Sequence, residues 1–140
     1  MAEQSRVLRD QGGFRWDGVA VRQYEGLAAD YEGVTRQVLS GAEADAVEFE
    51  TRYFEVAPGG FTRLEQHGHA HVVVVVRGAG EVLLGDRTEQ IKAFDCVYVA
   101  PGERHQFRAH HAAPLGSSVS PTGHGRQGWT SGGLHVPLSG

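Results

Sequence analysis

Short apolar stretches with a two-residue alternation recur along the chain, and turn signals rich in Gly, Pro and Asp separate them. The pattern predicts strands at 19–24, 34–39, 47–56, 61–76, 81–84, 89–92, 96–99, 105–108 and 117–120. Turns are expected at 58–60, 78–80, 85–86, 93–95 and 101–103, where residues that favour tight backbone geometry cluster. No window sustains a helical apolar period beyond one weak turn at 42–46. The expected fold class is therefore all-β, a sandwich or small barrel.

One stretch departs from simple alternation: "LEQHGHAHVVVVVRGAG", Leu64 to Gly80. On a continuous strand 61–76, Phe61, Arg63, Glu65, His67, His69, His71, Val73 and Val75 share one face, while Leu64, Val72, Val74 and Val76 share the other. Both faces turn apolar towards the end, as in a strand covered on both sides, so the inward imidazoles and carboxylate would be buried and would need partners. A divalent metal satisfies several nitrogen donors at once, which makes the three alternating histidines candidate ligands in a hydrocarbon-walled cavity. Imidazole suits zinc, copper, nickel or iron(II) and not hard magnesium or calcium.

Composition narrows the classes. The 140 residues are enough for one compact domain over 1–140. A formal net charge of −4 with interleaved signs offers no basic stripe for nucleic acid and no polybasic segment for a membrane surface. The longest apolar run, Val72 to Val76, is too short to span a bilayer. Cys96 is the only cysteine, is read as a buried strand position in "CVYVA", and fits a cytoplasmic setting. The segment from Pro121 onward is rich in Gly and Ser yet carries Trp129, Leu134, Val136 and Leu138, and is expected to wrap over the barrel or a second subunit. Outward-facing Val72, Val74 and Val76 would need covering, which predicts a homodimer.

The segments "PGGFTRLEQHGHAHVVVVVRGAGEVLLGD" and "AFDCVYVAPGERHQF" resemble the two signature motifs of the cupin superfamily over roughly 57–108. That resemblance implies a jelly-roll β-barrel. In the family, the first motif supplies two histidines spaced H-x-H and then a glutamate ahead of a glycine, and the second supplies one more histidine. Setting Gly78 on the glycine places His71 at the glutamate position, His67 at the second histidine position and Glu65 at the first. His105, after "APGER", matches the second motif's histidine, while Phe94 and Ala109 replace its glycine and asparagine. His69 adds an imidazole between the motif positions, and the candidate ligands chosen from these residues are His67, His69, His71 and His105. Glu65 is then a further ligand, a partner fixing an imidazole, or a proton-transfer group. His110, His111, His124 and His135 are expected to lie outside the site.

A small single-domain cupin with this many imidazoles is similar to the cyclases of aromatic polyketide pathways. The similarity implies a metal-dependent polyketide cyclase of antibiotic biosynthesis, closing a ring of an aromatic polyketide intermediate by aldol-type chemistry. Zinc is the first expectation for the ion, with iron, copper and nickel as alternatives. Glu65 would move a proton and Arg63 would meet an anionic oxygen of the substrate. Phe61, Val73, Val75 and Phe107, with Tyr53, Phe54 or Trp129, would shape the cavity. An iron or copper dioxygenase and a non-catalytic cupin that binds a small molecule are the rival readings.

Overall fold

The computed structural model describes residues 5–23, 30–41 and 49–121. Nine strands appear in it: β1 (Arg22–Gln23), β2 (Glu32–Ser40), β3 (Thr51–Phe61), β4 (His71–Arg77), β5 (Ala79–Leu84), β6 (Arg87–Lys92), β7 (Cys96–Val99), β8 (His105–Ala109) and β9 (Leu115–Pro121). Among the described residues there is no helix, and none is therefore long and apolar enough to cross a membrane. The expected turn at 42–46, the ends of two expected strands at Tyr24 and Val47, and the segment after Pro121 lie outside the described residues.

All pairings are antiparallel, and the strands run in the order β6, β5, β8, β3, β9, β4, β7, with β2 against β3 and β1 against β2. Strand β3 joins the two halves. Its Arg52 to Val56 stretch pairs with β9, whereas Phe61 at its far end pairs with Arg108 of β8. One long strand feeding two groups of strands curls the sheet, so that their inner faces meet. Val34, Val56, Val73, Val75, Val82, Leu84, Val97, Val99, Leu115 and Val119 fill the space between them.

The valine run divides by the period of two. Val73 and Val75 are 1% and 0% exposed, while Val74 points outward at 37%. Cys96 stands opposite Val74 and Tyr98 opposite Val72, so both share the outward face. The expectation of a buried Cys96 is corrected: it is exposed, because Val97 and Val99 take the inward positions of β7.

Tyr53 is also corrected as a cavity residue. It lies opposite Ser118 and Gln37 on the outer face, under Phe14, whose ring stacks on it at 5.4 Å, and Trp16, which meets it edge-on at 5.2 Å. Its hydroxyl donates to Glu55 at 3.0 Å. Burial first, and then the Glu55 charge, push that hydroxyl's pKa well above the usual tyrosine value. Phe54, on the opposite side of the strand, packs against the core.

Two expected elements change form. The expected turn at 58–60 is part of β3, as a bulge where the ladder jumps from Glu32↔Phe61 to Val34↔Val56. Glycine is required there, since Gly59 has φ +74° and a Cβ on Gly60 would collide with the Glu32 carbonyl oxygen. The expected strand 61–76 is interrupted: β3 ends at Phe61, β4 begins at His71, and Glu65 forms only an isolated bridge with His105.

Candidate metal centre

That interruption builds the site. Thr62 donates its backbone N–H to the Phe107 carbonyl at 2.8 Å, and its hydroxyl accepts from the Phe107 N–H at 2.9 Å, which ties the chain to β8. Glu65 and His105 then exchange two backbone hydrogen bonds of 3.0 and 2.9 Å. Residues opposite one another across such a bridge share a face, so Glu65 is brought beside His105. Phe61 has gone the other way. It sits opposite Arg108, whose guanidinium lies 4.7 Å from its ring, which places it on the outer face and not on the cavity wall expected for it.

His71 enters β4 opposite Val99 of β7, on the same inward face as Val73. His105 opens β8 opposite Leu84, with Phe107 two positions on packed against the core. Between them, His67 is held by its own carbonyl, which accepts the Gly102 N–H at 2.6 Å from the turn that precedes β8. His69 follows in the short irregular segment before β4.

Four imidazoles converge as a result. His67 lies 5.3 Å from His69, 4.8 Å from His71 and 5.2 Å from His105 between ring centroids, and His71 lies 4.8 Å from His69 and 5.5 Å from His105. Possible donor atoms within 4.8 Å of one another form two groups, His67 with His69 and His71, and Glu65 with His67 and His105. His67 belongs to both. It is also the most enclosed, at 4% exposed, with His105 next at 5%.

The electrostatics keep two of these rings, His71 and His105, neutral. His71 is pushed down to about 3, first by burial and then by the positive charge its imidazole neighbours would carry. Burial likewise lowers His105, whose Nδ1 meets the Glu103 carbonyl at 3.0 Å, a contact that works in the opposite direction. Neutral imidazole is the form that coordinates metal.

A transition ion fits this donor set on the structure's own terms. His67 Nε2 meets Glu65 Oε2 at 2.8 Å, and its buried Nδ1 has no hydrogen-bond partner among the described residues. His69 Nε2 and His71 Nε2 face each other at 3.1 Å, two ring nitrogens that an ion could hold together as lone-pair donors. Arg63 lies 3.8 Å from Asp30 and 5.7 Å from the Tyr31 ring. His110 and His111 lie on the surface, the first against Gln90 at 3.0 Å, while His124, Trp129 and His135 fall outside the described residues. Sequence reasoning passed over the Glu103 carbonyl that orients His105, and no residue type at a backbone acceptor could have signalled it.

Comparison with known proteins agrees with this geometry. The family model described as "Cupin domain" matches residues 52–116. The 1-methylthio-D-xylulose 5-phosphate methylsulfurylase of Rhodospirillum rubrum is 39% identical over 107 residues, spanning 76% of this chain and 67% of that protein. The chain belongs to the cupin family. This cupin is also similar to a cupin 2 conserved barrel domain protein from Rhodopseudomonas palustris, with 37% identity, TM-score 0.76 and coverage of 83% of this chain and 79% of that one. The polyketide cyclase RemF from Streptomyces resistomycificus shares the fold, with TM-score 0.70, 24% identity and coverage of 85% and 80%. Family membership confirms the all-β cupin fold expected from the two motifs, and the histidine and glutamate groups could hold the metal that cupins commonly bind.

Proposed function

We propose that this cupin is a metal-dependent enzyme acting on a carbonyl compound through its enolate, with a 1-methylthio ketose phosphate as the substrate class. The observation that carries the reading is the meeting of four imidazoles and the Glu65 carboxylate beside a valine-rich interior. A divalent ion held by His67 with His69 and His71, or with Glu65 and His105, supplies Lewis acidity at a substrate carbonyl oxygen. The 39% identity to a methylsulfurylase directs the choice of substrate.

In such a ketose the sulfur sits on the carbon next to the carbonyl. Transfer of the methylthio group to a thiolate forms an S–S bond and breaks the C–S bond. The electron pair passes to that carbon and is shared with the carbonyl oxygen as an enolate, and a proton then completes a methyl ketone. In this reading Glu65 delivers that proton, and the contact of its Oε2 with His67 Nε2 at 2.8 Å supports the role by holding the carboxylate in one orientation. Burial among Val73, Val75 and Phe107 keeps bulk water from the carbon that is protonated.

Aldol-type closure of a polyketide ring also runs through an enolate, and the same residues would serve it. Apolar walls favour that second reading, and the likeness to RemF supports the fold it needs. Zinc, iron(II), copper and nickel all suit the donors, and zinc is the ion proposed first.

The test is direct. Protein loaded with each ion in turn is incubated with 1-methylthio-D-xylulose 5-phosphate and a thiol in D2O, and the methylthio signal is followed by proton NMR. Loss of that signal with deuterium entering the new methyl group is the expected result. Conversion of a poly-β-ketone in its place would establish the cyclase reading, and oxygen uptake would establish the dioxygenase. With the ion on His67, His69 and His71, replacing Glu65 with Gln should keep the ion and slow turnover by about 10²- to 10⁴-fold, whereas loss of the ion in that variant would make Glu65 a ligand.

A further inference from the structure

The turn between β7 and β8 is fastened to the histidine segment at two points. Ala100, Pro101, Gly102 and Glu103 form it, and the Glu103 N–H donates to the Ala100 carbonyl at 3.1 Å. With Pro101 second and Gly102 third at φ +79°, this is the type II form. Its Gly102 N–H donates to the His67 carbonyl at 2.6 Å, and the Gly102 carbonyl accepts from Gln66 Nε2 at 2.5 Å. Both polar groups of Gly102 are thus taken up by adjacent residues of one segment, Gln66 through its side chain and His67 through its backbone.

Two imidazoles depend on this clasp. The first is His67, which belongs to both donor groups and whose carbonyl the Gly102 N–H holds. The second is His105. The peptide that carries the Gly102 carbonyl also carries the Glu103 N–H, so Gln66 and Ala100 fix its plane from both ends. The next carbonyl along is that of Glu103, which meets His105 Nδ1 at 3.0 Å. A carbonyl can only accept, so Nδ1 carries the proton and Nε2 keeps the lone pair that a metal needs. Without the Gln66 side chain the turn is pinned to His67 by a single hydrogen bond about which it can pivot, and the Glu103 carbonyl moves with it. One hydrogen bond to the exposed Gly102 adds little to global stability, so its consequence lies in the alignment of the rings.

We infer that Gln66 is a positioning residue of the metal centre. It locks the 100–103 turn against the segment that carries Glu65 and His67, and through the Glu103 carbonyl it sets the proton position and ring plane of His105. The inference rests on the metal-binding part of the reading above and not on the reaction proposed there.

Gln66→Met keeps the length of the side chain and removes the donor. In competition with a chelating dye, its Kd for zinc should rise about 10-fold, the lower end of the loss typical when a group that orients a metal ligand is removed. Loaded with copper(II), it should give an EPR spectrum distinct from that of the wild type. In zinc-free protein, NMR should show a hydrogen-bonded His105 Nδ1–H in the wild type and lose it to solvent exchange in Gln66→Met. Gln90→Ala removes the hydrogen bonds of another exposed glutamine, to Glu81 and His110, and should match the wild type in all three measurements. A Gln66→Met protein with the wild-type Kd, EPR spectrum or Nδ1–H signal overturns the assignment, as does a wild type without that signal or an equal loss of affinity in Gln90→Ala. Gln66→Ala is the second variant, with the same expected results. Failure of both to fold also overturns the assignment, since the residue then serves the fold and not the centre. If Gln66→Met weakens zinc binding as expected but the wild type converts no 1-methylthio-D-xylulose 5-phosphate, the reaction falls and the positioning role stands. If the wild type converts it and Gln66→Met binds zinc unchanged, the positioning role falls and the reaction stands.

Discussion

His67 belongs to both candidate donor groups, whereas His69 and His105 each belong to one, and this asymmetry makes a ranked prediction. Replacing His67 with Ala should abolish metal binding, because neither group then keeps three donors. A ligand present at a thousand times its dissociation constant stabilises the folded state by about 4 kcal/mol. For a chain of this size each kcal/mol moves the melting temperature by about 3 °C. Adding the ion should therefore raise the wild-type melting temperature by about 10 °C and the His67→Ala temperature hardly at all. The comparison is made within each protein, with and without ion, so the cost of emptying a site that is 4% exposed cancels. His69→Ala and His105→Ala locate the ion between the groups, since the variant that keeps most of the increment has lost a residue outside the coordination shell. The assays are scanning calorimetry and elemental analysis after gel filtration. A His67→Ala protein that retains one equivalent of ion and the full increment would refute the shared-vertex arrangement.

Four further outcomes are expected. In the metal-free protein His71 stays neutral until about pH 3, while in the unfolded chain it takes up a proton near its ordinary value of 6.5. The unfolded state thus binds more protons across that window, so stability is full above about pH 6.5 and falls on acidification, by up to about 1.4 kcal/mol per pH unit from this group; a urea midpoint in chelator that is flat from pH 8 to 5, or equally steep in His71→Ala, would contradict this. Gly78 joins β4 to β5 at φ +79°, and a Cβ there would collide with the Pro114 carbonyl, so Gly78→Ala should cost about 2 kcal/mol or more in denaturant unfolding. At Gly68 nothing would meet a Cβ, and Gly68→Ala should change stability by less than about 0.5 kcal/mol. Val74, Cys96 and Tyr98 form an apolar outward patch, and sedimentation should show a homodimer that Tyr98→Glu dissociates.

Most strands were legible because one face of each is buried and the other is not. β7 matches its expected bounds, and β5, β6, β8 and β9 differ from theirs by two residues or fewer at each end, since alternation survives wherever pairing is regular. The error at Cys96 has an instructive origin. Strict alternation in "CVYV" puts Val97 and Val99 on one face and Cys96 and Tyr98 on the other, but the preference of cysteine for buried positions was given more weight than the period. In β3 the bulge at 58–60 was hidden for the opposite reason: Pro-Gly-Gly is a turn signal by composition, and only the partner strand reveals that the extra residues are absorbed within a ladder.

The histidine cluster shows how far a period can be trusted when the element behind it is absent. Alternate spacing from Glu65 to His71 suggested side chains on one face of a strand, yet the chain between Phe61 and His71 follows no continuous ladder. Phe61 faces outward and Glu65 inward although both hold odd-numbered positions, so a register shift must occur between them. The imidazoles still converge, because three separate ties draw them together: the bridge to His105, the Gly102 N–H on the His67 carbonyl, and the start of β4 at His71. A site held this way tolerates a rearranged ligand order, since no single strand dictates which position must carry which residue type. The exchange of a glutamate for His71 at the first motif's acidic position is then chemically consequential and structurally cheap. It puts a neutral donor where the motif has a charged one, while Glu65 puts a carboxylate where the motif has its first histidine, so the acidic donor is moved across the site and not lost.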